Sequence, residues 1–203
     1  MERYLALELV STIRHDGEGG VTDDLCDVAG AARWLDAQAE LFAGNGPLVE
    51  HAGRLSVDET ARGELVALRQ AVRTLFARAV SPGPPSPADV GRLLPVQQAL
   101  DRLNTAAARE PTVPQLRWCK DELPVAHLLP SADSDPLVRL NAALARAAIA
   151  FLAGPERELL RACTAPRCVR YYVKRHGRQE WCKPSCGNRA RVARHYHRRH
   201  AES

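Results

Sequence analysis

The sequence predicts a mainly α chain. A helical N-terminal domain, residues 1–158, holds one short β-hairpin, and a small C-terminal module, residues 159–203, is built on four cysteines and ends in a basic helix. Three observations predict this. Apolar residues recur at i, i+3 and i+4 through most of the N-terminal part, which is the helical period. A single stretch, 111–130, partly alternates in polarity between turn residues, which is the strand period. Four of the six cysteines fall between Cys163 and Cys186, in two close pairs.

The elements follow in order. Residues 3–14 form a short helix on Leu5, Leu9 and Ile13. Asp16-Gly17-Glu18-Gly19-Gly20 is a turn. Thr22, followed by Asp23 and Asp24, caps a second helix that runs through Leu25, Val28, Ala32, Leu35 and Ala39 to Phe42. Trp34 and Leu41 widen its stripe, and Gly30 inside it is a candidate break, at a cost of about 1 kcal/mol relative to Ala. Gly44-Asn45-Gly46-Pro47 ends it. Ser56-Val57-Asp58-Glu59 reads as a capping box. The helix behind it gathers Leu65, Leu68, Val72, Leu75, Phe76 and Ala79 on one face, while Arg62, Arg69, Arg73 and Arg78 solvate the rest.

A proline-rich connector runs from Ser81 to Pro87. Ser86-Pro87-Ala88-Asp89 opens a helix that reaches Ala108, with a kink or restart at Pro95. The hairpin follows, with Lys120-Asp121-Glu122 as its turn and prolines that confine its strands to edges. Asp133 to Asp135 lead into a helix over 136–153 whose seam is Leu137, Leu140, Leu144, Ala148 and Leu152; Gly154-Pro155 stops it.

Charge divides the chain. Residues 1–160 carry 16 Lys+Arg against 22 Asp+Glu, and residues 161–203 carry 12 against 2, within an overall net charge of +4. A basic tail of this density points to nucleic acid. The N-terminus lacks a signal-peptide pattern, and no uninterrupted apolar run approaches the ~18 residues of a membrane span. The expectation is a soluble, cytoplasmic protein with no membrane partner, where thiols stay reduced and clustered cysteines hold metal. No P-loop, dinucleotide fingerprint or nucleophile elbow occurs, so an enzyme is not expected. Cys26 and Cys119 stand alone and are expected to be packed thiols.

The cysteine pairs have four residues inside the first, thirteen between the pairs and three inside the second. Two tight turns that each present two thiolates to one point make a tetrahedral zinc site. The ligands are Cys163, Cys168, Cys182 and Cys186, and one Zn2+ held by four thiolates is structural. A rival set, Cys182, Cys186, His195 and His200, leaves Cys163 and Cys168 idle and is less favoured. Residues 188–200 form a helix. Val192, Ala193 and Tyr196 cluster on the side expected to dock on the metal core, and Arg191, Arg194 and Arg198 project opposite. Arg189 lies near the docking side and is expected to pack against or bond to a knuckle. The candidate nucleic-acid contacts are Arg191, Arg194, Arg198 and Arg199 on the helix, with Lys174, Arg175 and Arg178 in the loop between the cysteine pairs. Tyr171, Tyr172 and Trp181 in that loop suit either base stacking or cover for a small metal core.

Trp181-Cys182, then Cys186-Gly187-Asn188-Arg189 and the basic helix with Tyr196, resemble the CGNR zinc finger. The upstream chain resembles the ABATE domain of stress-induced transcription regulators, through Leu5 to Thr12, Asp24-Leu25, Trp34-Leu35 and Asp135-Pro136-Leu137. The inter-knuckle loop departs from the family pattern: Val173 to Arg178 stand where many members have an acidic residue plus Ser-Arg-Asn. The resemblance implies a mostly helical body, four cysteine ligands and DNA as partner. The expectation is a DNA-binding transcription regulator whose body senses a small-molecule effector or mediates homodimerisation. The alternatives are an RNA-binding or ribosome-associated zinc protein, an enzyme with its pocket in the body, and a redox switch acting through the four cysteines.

Overall fold

The computed structural model describes residues 3–18, 20–43, 56–130 and 135–201. The helix stop at Gly44 to Pro47 and the acidic lead-in at Asp133 lie outside these residues. The elements are α1 (Leu5–Val10), β1 (Ile13–His15), β2 (Val21–Asp23), α2 (Val28–Ala37), α3 (Ala39–Ala43), α4 (Glu59–Ala79), α5 (Val96–Ala108), β3 (Thr112–Arg117), β4 (Val125–Pro130), α6 (Pro136–Ala153), α7 (Glu156–Leu159), β5 (Leu160–Ala162), β6 (Tyr171–Val173) and α8 (Pro184–Ala201). The strands form three separate antiparallel hairpins.

The first helix is shorter than the apolar period suggests. It stops at Val10, and Ile13 pairs with Asp23 in the β1–β2 hairpin across the glycine-rich turn. Thr22 and Asp23 are therefore strand residues. The cap of α2 is Asp27, whose side chain accepts a hydrogen bond from the Gly30 N–H at 2.6 Å. Gly30 does not break α2: a Cβ there would stand 2.3 Å from the Asp24 carbonyl oxygen, so the glycine admits a close backbone approach. Likewise Asp58, not Ser56, caps α4, accepting from the Ala61 N–H at 2.7 Å. Pro87–Asp89 makes only one 3-10 turn, and the helix restarts after Pro95. Asp135 caps α6 through the Leu137 N–H.

α4 is the axis of the body. Its Leu65, Leu68, Val72 and Phe76 pack among Leu5 and Leu9 of α1, Leu103 of α5, and Leu140, Leu144 and Phe151 of α6. Phe76 lies between Phe151 and Tyr171, with ring centroids at 5.2 and 5.6 Å. By length and composition α6 is apolar enough to cross a membrane, but Leu140, Leu144, Ala148 and Phe151 are buried in this core. The β3–β4 hairpin occurs where the alternation places it, in the register Thr112↔Pro130 to Arg117↔Val125. Glu110 at its base is buried between Arg139 and Arg146. Beyond that anchor the hairpin is an exposed arm, with Leu116, Trp118 and Leu123 open to solvent.

Two arginines expected on the solvated face of α4 are buried. Arg69 donates to both Asp23 carboxylate oxygens and to Thr12 Oγ1. Arg73, 3% exposed, pairs with the equally buried Asp89 at 2.6 Å and donates to the Val10 carbonyl. Both lone thiols depart from expectation in the other direction: Cys26 and Cys119 are exposed.

Candidate metal centre and nucleic-acid surface

β5 and β6 form the hairpin that carries the first cysteine pair. Leu160 pairs with Val173 and Ala162 with Tyr171, so Cys163 leaves the end of β5 and Cys168 precedes β6. The knuckle turns back through Arg167, at φ 62°, and the Cys168 N–H bonds to the Ala165 carbonyl. A non-glycine residue in this left-handed region costs about 1 kcal/mol, which the turn imposes. The second pair is built differently. α8 starts at Pro184, four residues before the predicted start, so Cys186 sits inside its first turn and Cys182 just before it.

The four sulfurs all lie within 4.8 Å of one another, with Cys182 Sγ at 3.7 Å from Cys168 Sγ and 3.5 Å from Cys186 Sγ. A tetrahedral ion with Zn–S bonds of about 2.3 Å needs sulfurs about 3.8 Å apart, so the donor set fits zinc. The thiols share protons unevenly in this space. Hydrogen bonds from Cys168 and Cys182 hold Cys163 down at about 2, the bond to Cys163 pushes Cys168 up to about 11, and bonds to both push Cys182 up further. Four thiolates this close need a divalent cation among them. The site is a closed, structural zinc centre, with Tyr172 and Trp181 packed against it. Among the described residues it is the cluster of metal-binding side chains. His195 of the rival set is exposed, and the side chain of His200 lies outside the described ones.

The Cys-Gly-Asn-Arg sequence has a physical reading at each position. Cys186 is the buried ligand. Gly187 faces Trp181, and a Cβ there would stand 3.1 Å from the indole ring. The Asn188 side chain accepts from Arg191. Arg189 donates to Cys186 Sγ at 3.2 Å, and that bond raises its pKa above the usual guanidinium value. The structural role expected for Arg189 is thus observed.

The docking face of α8 is not the one expected. Cys186 and Ala190 are buried and Ala193 is half-buried, whereas Val192 and Tyr196 are 69% and 59% exposed. The docked seam follows Cys186 at i+4 and i+7, a register fixed by the metal ligand. Arg191, Arg194, Arg198 and Arg199 are exposed, and Arg194 lies over the Trp181 ring at 5.9 Å. Of the loop residues, Arg178 is exposed, Lys174 is half-buried with its N–H on the Leu159 carbonyl, and Arg175 lies over the Tyr4 ring. Arg175 therefore faces the body.

A buried network with no spacing signature in the sequence joins the zinc module to the body. Tyr171 Oη donates to Asp89 at 2.7 Å and accepts from the Ser86 N–H, and Ser86 Oγ donates to the Val169 carbonyl. Arg73 lies 5.4 Å from the Tyr171 ring centroid and also donates to Ser86 Oγ. Burial, then the Asp89 charge and hydrogen bond, push the Tyr171 hydroxyl far up, so it remains a donor.

The comparisons agree with this anatomy. The ABATE family model, described as "Putative stress-induced transcription regulator", matches residues 4–155, and the CGNR zinc finger model matches residues 160–199. No curated protein matches the chain. With three-quarters of its length inside the first model and its four-thiolate centre inside the second, the chain belongs to the ABATE family and carries a C-terminal CGNR zinc finger.

Proposed function

We propose that the protein binds duplex DNA as a transcription regulator, with α8 as the contacting element. The observation that carries this reading is a helix fixed at its first turn by the zinc centre, with Arg191, Arg194, Arg198 and Arg199 exposed beyond it. Guanidinium forks suit phosphates and the guanine edge in a major groove. Single-stranded RNA is less well served. Tyr171 is buried in the body, and Tyr172 and Trp181 cover the cysteine cluster, so the aromatics that would stack on bases are engaged elsewhere. Replacing Arg191, Arg194 and Arg198 by Ala should leave zinc content and far-ultraviolet dichroism unchanged. The same change should weaken duplex binding and lower the slope of log K against log salt by about 2–3. An unaltered slope would sink the role of α8.

The same reading gives the body a sensing role. A cavity of about 550 Å³ opens between α1, the β1–β2 hairpin and α2, lined by Glu8, Thr12, Arg33 and Trp34 together with Arg170 of the zinc module. A small-molecule effector seated there would touch both parts at once. Trp34 emission, read in a chain with Trp118 and Trp181 changed to Phe, should respond to such an effector; a panel of metabolites that moves neither emission nor Tm would count against sensing.

A further inference from the structure

We propose a phosphate-binding site in the seam between the β1–β2 hairpin and the start of α8. A second cavity, about 310 Å³, lies there, and its lining brings together Arg14, Arg170, Lys183 and Arg189 with the Ser185 hydroxyl. One carboxylate, Asp16, shares the lining, and its Oδ1 accepts the Glu18 and Gly20 N–H groups. Four guanidinium or ammonium groups outnumber the Asp16 carboxylate and the zinc-ligating Cys168 thiolate of the same lining, which favours an anion, and the forked donors select one with several oxygens.

The four cations are not equivalent. Arg14 is paired with Asp24, and Arg189 is bonded to Cys186 Sγ. The Arg170 and Lys183 side chains have no partner among the described residues. Arg170 is nonetheless held on a fixed backbone. Its carbonyl accepts from the Cys163 N–H at 2.9 Å, and its neighbours Val169 and Tyr171 are both buried in the network with Ser86 and Asp89. A charged side chain without a partner, presented from a rigid backbone into a cationic cavity, is a preorganised anion donor. The 18-residue α8 starts on the same side and adds the positive end of its dipole, although the Cys186 and Gly187 N–H groups are already bonded to the Lys183 carbonyl.

The shared chemistry is a phosphate group, supplied either by a DNA backbone or by a small phosphorylated ligand. The inference goes beyond the DNA reading and stands without it. The test uses the full-length, zinc-loaded protein and the R170Q/K183Q variant. Inorganic phosphate is titrated with thermal unfolding and ³¹P line width as readouts, against potassium chloride of matched ionic strength. Wild type should show a saturable Tm rise with phosphate that chloride does not give, and the variant should bind phosphate at least about tenfold more weakly with zinc content unchanged. Equal responses to phosphate and chloride, or an unchanged variant, overturn the site. So does a variant that loses zinc yet keeps its phosphate response, since the two cations would then serve only the thiolates. A duplex-DNA arm separates the sources: a salt slope lower by about 1–2 in the variant assigns the phosphate to DNA. Retained phosphate binding in a protein that does not bind DNA sinks the DNA reading and leaves the seam as a site for a small phosphorylated ligand.

Discussion

Gly30 and Asp23 lie in one corner of the body and are held by different forces. At Gly30 the constraint is steric, because the Asp24 carbonyl fills the space a Cβ would need. Helix propensity favours Gly30→Ala by about 1 kcal/mol. The backbone contact should reverse that sign and leave the variant destabilised by about 1–3 kcal/mol, read from the urea midpoint. At Asp23 the force is electrostatic. Burial opposes ionisation, but the hydrogen bond and charge of Arg69, with the Leu25 N–H, outweigh it and hold the carboxyl below 3.8. A depressed folded pKa contributes stability above the unfolded value, and that stability is lost as pH falls through the folded one. Denaturation midpoints should therefore drop below about pH 4 in wild type and drop less in Asp23→Asn; parallel pH curves would remove Asp23 from the acid response. Neither Arg69 nor Arg73 was legible as buried. An arginine on a helix reads as solvated until its partner is known, and Asp23 and Asp89 lie too far away in sequence to be paired by spacing.

Among the elements, length decided what the sequence could show. α4 and α6 span several turns, so their apolar periods accumulate, and Pro82 and Gly154 mark where they stop. The β3–β4 arm was visible because six residues per strand suffice for alternation. The β1–β2 and β5–β6 hairpins have three residues per strand, too few for a period to register, and the apolar period of α1 runs on through Ile13 of the first. The metal centre was legible for a different reason: two cysteine pairs close to each other require no periodicity. Hydrophobicity alone turns Val192 and Tyr196 of α8 inward, whereas the ligand Cys186 and the indole of Trp181 set its rotation and leave both residues outside.

At the scale of the molecule, zinc module and body share one interior. Leu160, Tyr171 and Val173 lie on β5 and β6 yet belong to the main core with Phe76 and Leu144. Residues 1–158 alone would open that core and strip Asp89 and Ser86 of Tyr171. Such a fragment should lack a cooperative thermal transition, and chelating the zinc from the full chain should lower the Tm of the whole dichroism signal. A fragment that melts like the full protein, or a body transition indifferent to chelator, would show the two to be energetically separate. A shared interior also fixes the base from which α8 extends. Its 18 residues span about 27 Å, clamped at one end by Cys186 and Trp181 and exposed toward the other. A beam held this way converts a small rotation at its root into a large sweep at its tip: about 10° of tilt moves the far arginines by about 5 Å, more than the ~3.4 Å rise per phosphate along one DNA strand. Sub-ångström adjustments in the Arg73–Asp89–Tyr171 junction are thus mechanically geared to the far end of the helix.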